Sequence, residues 1–391
     1  MKDNIITNSI KYIGVNDRDL DLFENQYIVP NGMSYNSYII LDDNIAIMDT
    51  VDVRKKSTWL ENIARELQGR DPKYLIISHM EPDHSGCIKD LVDMYQNMKI
   101  VGNIKTFEIL EQFFKIDNLD DRKIIVKEND ELNLGHHVLK FIMAPMLHWP
   151  EVMMTYEKDE QILFTADGFG KFGTIDTVED WICEARRYYF GIIGKYGMQV
   201  QMLLTKIKNL DIRIICPLHG PVLKDGIDKY VEKYNIWSKY EPEEKGIFIA
   251  CASIHGNTYE AAEELAKMLK EKGEESVVLA DLCRDDWSEC IENAFRYDRV
   301  VLAASSYNMG VFTPMYNFLH GLLERNYQNR KIGIIENGTW SPSAGKVMQE
   351  ILSQMKNITI YENKVTIRSR LDEDSRKILS NLAEEISDTK N

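Results

Sequence analysis

The stretch 75-LIISHMEPDHSGCI-88 places His79, Glu81, Asp83 and His84 within six residues, directly after an apolar run. A solvated turn has no use for that density of imidazole and carboxylate, whereas a metal site uses both as donors. Three more candidates follow apolar runs of their own: His148 after FIMAP, Asp167 at the end of QILFTA, and His219 after IICPL. A lone histidine behind a strand is an ordinary packed or capping residue, and Asp83 or Ser85 would serve as a cap for a helix at Cys87. Caps do not explain four strand ends that each close on a donor. Seven donors suffice for two metal ions when one carboxylate bridges them. With no thiolate in the set, iron, manganese or zinc is favoured over copper or an iron–sulfur cluster. Glu81 shifts the preference towards iron, because an anionic donor stabilises the ferric state.

A second chemistry lies in 251-CASIHGNTYEAAEEL-265, where a strand passes into a helix through Ser253, Ile254, His255, Gly256, Asn257 and Thr258. Hydroxyls and free backbone N–H groups at a helix start make an anion site that needs no lysine. The segment is neither a Walker A loop nor a GxGxxG turn. Two later loops follow strands in the same half: 305-SSYNMGVFTP-314, with Ser306, Tyr307, Asn308, Met309 and Gly310, and 337-NGTWSPSAGK-346, with Asn337, Gly338, Thr339, Trp340 and Ser341. Glycine allows close approach to a flat ring, and Tyr307 and Trp340 offer faces to stack on it. The other histidines carry no such weight. His136 and His137 fall in a hairpin turn and His320 in a helical run.

These residues need positioning, and the two halves do it differently. Up to about Pro221 short strands recur: the hairpin SYIILDDNIAIMD turning at Asp42-Asp43-Asn44, then KYLIIS, KIVGN, VLKFIMAP, QILFTA and IRIICP. Helical patterns at 87–96 and 106–114 lie between them, and the mixture predicts an αβ sandwich. The polar stretch 239-KYEPEEKG-246 reads as a linker, which sets domains at 1–243 and 244–391. Beyond it GIFIACA, SVVLAD, RVVLAAS, KIGIIEN and ITIYE alternate with helices, the rhythm of a five-stranded, doubly wound parallel sheet.

Composition bounds the rest. The chain has 391 residues, 47 basic against 62 acidic, for a formal charge of −15. That sign, with no basic cluster, speaks against nucleic acid. No apolar run approaches the ~20 residues that cross a bilayer. Six scattered cysteines, without a CxxC pair, exclude a zinc ribbon or a fused rubredoxin. Free thiols and the lack of an export signal imply a cytoplasmic protein.

The pattern H-x-E-x-D-H, followed by separated His, Asp and His, resembles the metallo-β-lactamase-like domain of flavodiiron proteins (A-type flavoproteins). The loop Ser253-x-x-Gly256-x-Thr258 resembles the phosphate loop of flavodoxins. The resemblance spans nearly the whole chain in the family's order: an αβ/βα sandwich, then a flavodoxin-like sheet. It implies two non-haem irons, one held by His79, Glu81 and His148, the other by Asp83, His84 and His219, with Asp167 bridging. It further implies FMN on the three loops of the second half, and reduction of O2 to water, NO to N2O, or both. The resemblance also implies a separate electron donor (a rubredoxin or flavin reductase) and a head-to-tail homodimer or dimer of dimers. The rival is a dinuclear zinc hydrolase fused to a flavodoxin-like domain. The sequence departs from the family at Glu24, which follows Phe23 where many members carry histidine.

Overall fold

In the computed structural model, which describes residues 5–177 and 180–388, the apolar run ahead of His79 forms strand Tyr74–Ile76, buried throughout. It lies inside a six-stranded sheet ordered Ile10–Tyr12, Tyr38–Ile40, Ala46–Met48, Tyr74–Ile76, Lys99–Gly102 and Lys123–Ile125. The hairpin pairs Tyr38 with Met48 and Ile40 with Ala46, so its turn falls over Asp42-Asp43-Asn44. A five-stranded sheet follows, ordered Glu131–Asn133, Val138–Met143, Met153–Glu157, Ile162–Phe164 and Ile214–Cys216.

The two sheets share one core. Ile40, Met48, Ile76 and Val101 from the first pack with Phe141, Met153, Phe164 and Cys216 from the second. Alternate residues of each strand point inwards, which is why short β-branched and aromatic runs suffice. Helices flank the sheets and bury one stripe, as Trp59, Ile63 and Leu67 do at four-residue spacing in Lys56–Leu67. The helix expected at 106–114 spans Ile104–Phe113, started by Asn103, whose side chain accepts from the Lys105 and Thr106 N–H groups.

One expectation changes at the donors themselves. Asp83 and His84 lie in a separate helical turn, Pro82–Ser85, ahead of helix Ile88–Met94, and neither Asp83 nor Ser85 caps the latter. Pro82 at the first helical position explains the early start, since its ring presets the helical φ.

The chain divides into two compact units, Met1–Asn235 and Ile236–Asn391. In the second, five parallel strands run in the order Val277–Asp281, Glu244–Ala252, Tyr297–Tyr307, Gln328–Asn337 and Lys356–Ile360. Numbered along the chain this is 2-1-3-4-5, the flavodoxin order. A short strand, Val365–Ile367, continues the edge by pairing with Ile335–Asn337. The segment read as a linker is packed. Glu243 accepts from Trp237 Nε1 at 2.7 Å, and the Tyr240 carbonyl accepts from Arg330 at 2.8 Å.

Candidate functional site

Three donors stand at equal distance from their strands. His79, Asp167 and His219 each lie three residues past a strand end, at Ile76, Phe164 and Cys216. Phe164 and Cys216 are register partners in parallel strands, and Leu218 N–H donates to the Ala166 carbonyl at 2.8 Å. Asp167 and His219 therefore emerge side by side. Between the two sheets, Met153 N–H donates to the Ser78 carbonyl at 3.0 Å. That bond fastens the His79 segment to the strand whose lead-in carries His148.

All seven predicted donors converge, in two groups. His79, Glu81, His148 and Asp167 form one, and Asp83, His84 and His219 the other, each with its donor atoms within 4.8 Å of one another. Glu81 Oε2 lies 3.2 Å from His79 Nε2 and 2.9 Å from His148 Nε2. Asp83 Oδ2 lies 3.4 Å from His84 Nε2 and 3.2 Å from His219 Nε2. Asp167 faces both groups: Oδ2 is 3.3 Å from His148 Nε2, and Oδ1 is 3.3 Å from His84 Nε2. The arrangement is that of two cation positions sharing one carboxylate.

The electrostatics agree. Burial opposes a charged His79, yet Glu151 and Glu81 outweigh it and hold the imidazole well above its ordinary value. His148 is likewise opposed by burial but raised by Asp167 and Glu81 to about 9. Despite burial, His148 and His79 pull Glu81 down, and His148 and His84 pull Asp167 down. The pocket draws in positive charge. Protons alone leave it poorly satisfied: both oxygens of Asp83 and Asp167 Oδ1 are buried without a hydrogen-bond partner. His219 Nδ1 donates to the Ser34 carbonyl at 2.7 Å, which turns its Nε2 into the pocket, 3.0 Å from His84 Nε2. Two dications would satisfy these atoms together, and the donor set fits non-haem iron.

Aromatic rings wall the pocket. Phe23 and Tyr188 pack on His219 at 5.2 and 5.7 Å, and Trp149 on His79 at 5.3 Å. Tyr188 is fully buried, with a hydroxyl that has no hydrogen-bond partner. Burial and then the charges of Asp167, Asp83 and Glu81 push it well above the ordinary phenol value, so it keeps its proton. The pocket opens where Glu81, His148 and Asp83 retain slight exposure. Glu24 stands at that mouth, largely exposed at its backbone turn. Local burial and the Glu81 charge raise its carboxyl to about 7, against the opposing influence of Gln26 and His148.

The second unit carries a cleft of about 530 Å³ at the C-terminal ends of its strands. Ser253, Ile254, His255, Asn257, Thr258, Ser306, Tyr307, Asn308, Met309, Asn337, Gly338, Thr339, Trp340 and Ser341 all line it. Gly256 and Gly310 do not; they shape the loops. Gly256 adopts φ +90°, which only glycine holds without strain, and its N–H donates to Ser253 Oγ at 3.1 Å. Thr258 Oγ1 meets Ser305 Oγ at 2.9 Å beside the start of helix Asn257–Glu271. The 305–314 segment, read as a loop, opens as a hairpin. Asn308 and Met309 both have positive φ between the paired Tyr307 and Gly310. The cleft fits a phosphorylated planar ring: neutral donors at a helix start for the anion, and exposed rings, Trp340 at 85%, for the plane.

Sequence reasoning missed several residues. Glu151 is buried against His79, its signal being an acid immediately ahead of the apolar run 152–154. Ser305, Ser343 and Ser369 complete the cleft. Ser369 reaches it through hydrogen bonds with Asn337 and Thr339, 32 and 30 residues away, which no local pattern announces.

Comparison with known proteins supplies independent findings. A family model described as the ODP family beta lactamase matches residues 33–220. An uncharacterized protein of Methanocaldococcus jannaschii, MJ0732, is 32% identical over 93% of this chain and 92% of its own length. An anaerobic nitric oxide reductase flavorubredoxin of Klebsiella pneumoniae is 27% identical over 87% of this chain and 72% of its own. Among solved structures, the flavodiiron protein of Giardia intestinalis superposes with a TM-score of 0.92, at 23% identity, over 99% of this chain and 96% of that one.

Proposed function

The chain belongs to the flavodiiron proteins, and from that premise we propose that it reduces O2 to water, NO to N2O, or both. The observation that carries this reading is the pair of donor groups sharing Asp167, with Glu81 set between two histidines. His79, Glu81 and His148 would hold one iron and Asp83, His84 and His219 the other, with Asp167 across both. Ser253, His255, Asn257 and Thr258 would hold the FMN phosphate, and Tyr307 and Trp340 the ring. When bound, the two irons and the flavin supply up to four electrons between them, enough to take O2 to water without releasing peroxide.

This chain's residues do the remaining work. The carboxylates of Glu81, Asp83 and Asp167 would offset three of the four positive charges of two dications and hold them in place. Phe23, Tyr188 and Trp149 limit water around the imidazoles. Tyr188 Oη holds a proton that no protein acceptor takes, available to a bound diatomic. Glu24 stands at the mouth, where burial and the Glu81 charge raise its carboxyl to about 7.

Electrons would come from a rubredoxin-type donor, and a homodimer or dimer of dimers is the proposed assembly. No helix among the described residues is long and apolar enough to cross a membrane. Assays in sealed, deoxygenated cells with reduced rubredoxin, started by adding O2 in one series and NO in the other, test the activity. Turnover of either gas supports the reading, and turnover of neither, with iron and FMN loaded, refutes it. Sedimentation tests the assembly, for which a monomer is the contrary result.

A further inference from the structure

The two halves of the metal pocket are backed by different acceptors. His219 Nδ1 donates to the Ser34 main-chain carbonyl, a neutral group, at 2.7 Å. His79 Nδ1 faces Glu151 Oε1 at 2.8 Å, and Met80 N–H donates to the same oxygen at 2.9 Å. Two donors on one oxygen fix Glu151 as an acceptor. Its side chain is fully buried, and Oε2 has no hydrogen-bond partner at all. On the other side, His84 Nδ1 is also without a partner. A carboxylate behind an imidazole increases its donation to a metal, where a carbonyl does so less.

We propose that Glu151 is a positioning residue that makes the two metal positions inequivalent. The position at His79, Glu81 and His148 is the tighter one, and its metal is the more readily oxidised. This rests on reading the pocket as a dinuclear iron centre, and it goes beyond that reading by ranking the two irons. Glu151→Gln would leave a neutral acceptor behind His79, much like the carbonyl behind His219. Glu151→Asp would keep the charge and withdraw it slightly.

The experiment is an anaerobic titration of the metal-free, full-length protein with Fe(II) against a competing chelator. It is run on the wild type, Glu151→Gln and Glu151→Asp, and followed by redox titration of the loaded proteins. FMN retention in each variant reports that the chain has folded. The wild type should bind iron in two separable steps. In Glu151→Gln the tighter step should weaken about 10–100-fold, the other should stay, and the two one-electron potentials should draw together. Glu151→Asp should recover part of both effects. Unmoved affinities and potentials in Glu151→Gln would overturn the inference, as would a Glu151→Asp variant no better than Glu151→Gln. A wild type that binds no iron would overturn the dinuclear reading itself, and the ranking with it.

Discussion

The metal pocket gathers side chains from His79 to His219, across two sheets, whereas the anion loop of the cleft is six consecutive residues, 253–258. Their materials differ as well. The pocket is made of buried ionisable groups that repel or go unsatisfied when left alone. The cleft is made of neutral hydroxyls, backbone N–H groups and exposed rings. A centre of multivalent cations needs opposing charge taken out of water, which only tertiary structure can assemble. An organic anion with a flat ring needs a helix start and open faces, which local sequence can provide.

The contrast yields separable losses. The largest is expected from His79→Asn or Asp167→Ala. Gas reduction should fall by more than the roughly 100-fold that a supporting residue costs, while FMN stays bound. Iron analysis and flavin absorbance on the same sample check this, and loss of both cofactors together would break the comparison. Thr258→Val combined with Asn257→Ala removes two of the proposed donors to the FMN phosphate, each worth about 1.5–3 kcal/mol. Together they make about 3 kcal/mol or more, so FMN should loosen about 100-fold or more with iron content unchanged, as read by flavin fluorescence. Trp340→Ala removes a single stacking face worth about 0.5–1.5 kcal/mol, so the flavin affinity should drop only severalfold. Smallest is Glu24→Gln, a change of slope rather than level. A carboxyl raised to about 7 is protonated below that pH and loses its proton above it. If it feeds protons inward, the wild-type rate falls as pH rises through 7, and the Glu24→Gln profile is flat there.

The same contrast explains what was legible in the sequence. The five alternating strands and the anion loop follow from periodicity and helix-start chemistry, so strand, loop and helix could be placed directly, while the 2-1-3-4-5 order is seen only in the pairing. The seven donors were legible because each follows a recognisable strand, although only the packing of two sheets shows which donor faces which. Glu151 was not. Its role depends on His79, 72 residues away, and on burial that an isolated acid does not advertise. Ser369 is hidden for the same reason, since a return strand carries it to the cleft. Asp83 and Ser85, read as caps for a helix at Cys87, lie instead inside the helical turn Pro82–Ser85, because Pro82 starts the helical φ earlier.

The central claim is that the shared-carboxylate pocket is a redox metal centre, and metal analysis of the freshly purified protein tests it most directly. Expressed with iron and zinc both available, the protein should carry two irons per chain, one for each donor group, together with FMN. Two zincs with negligible iron, and no gas reduction after reconstitution with iron, would contradict the account and place the dinuclear hydrolase first.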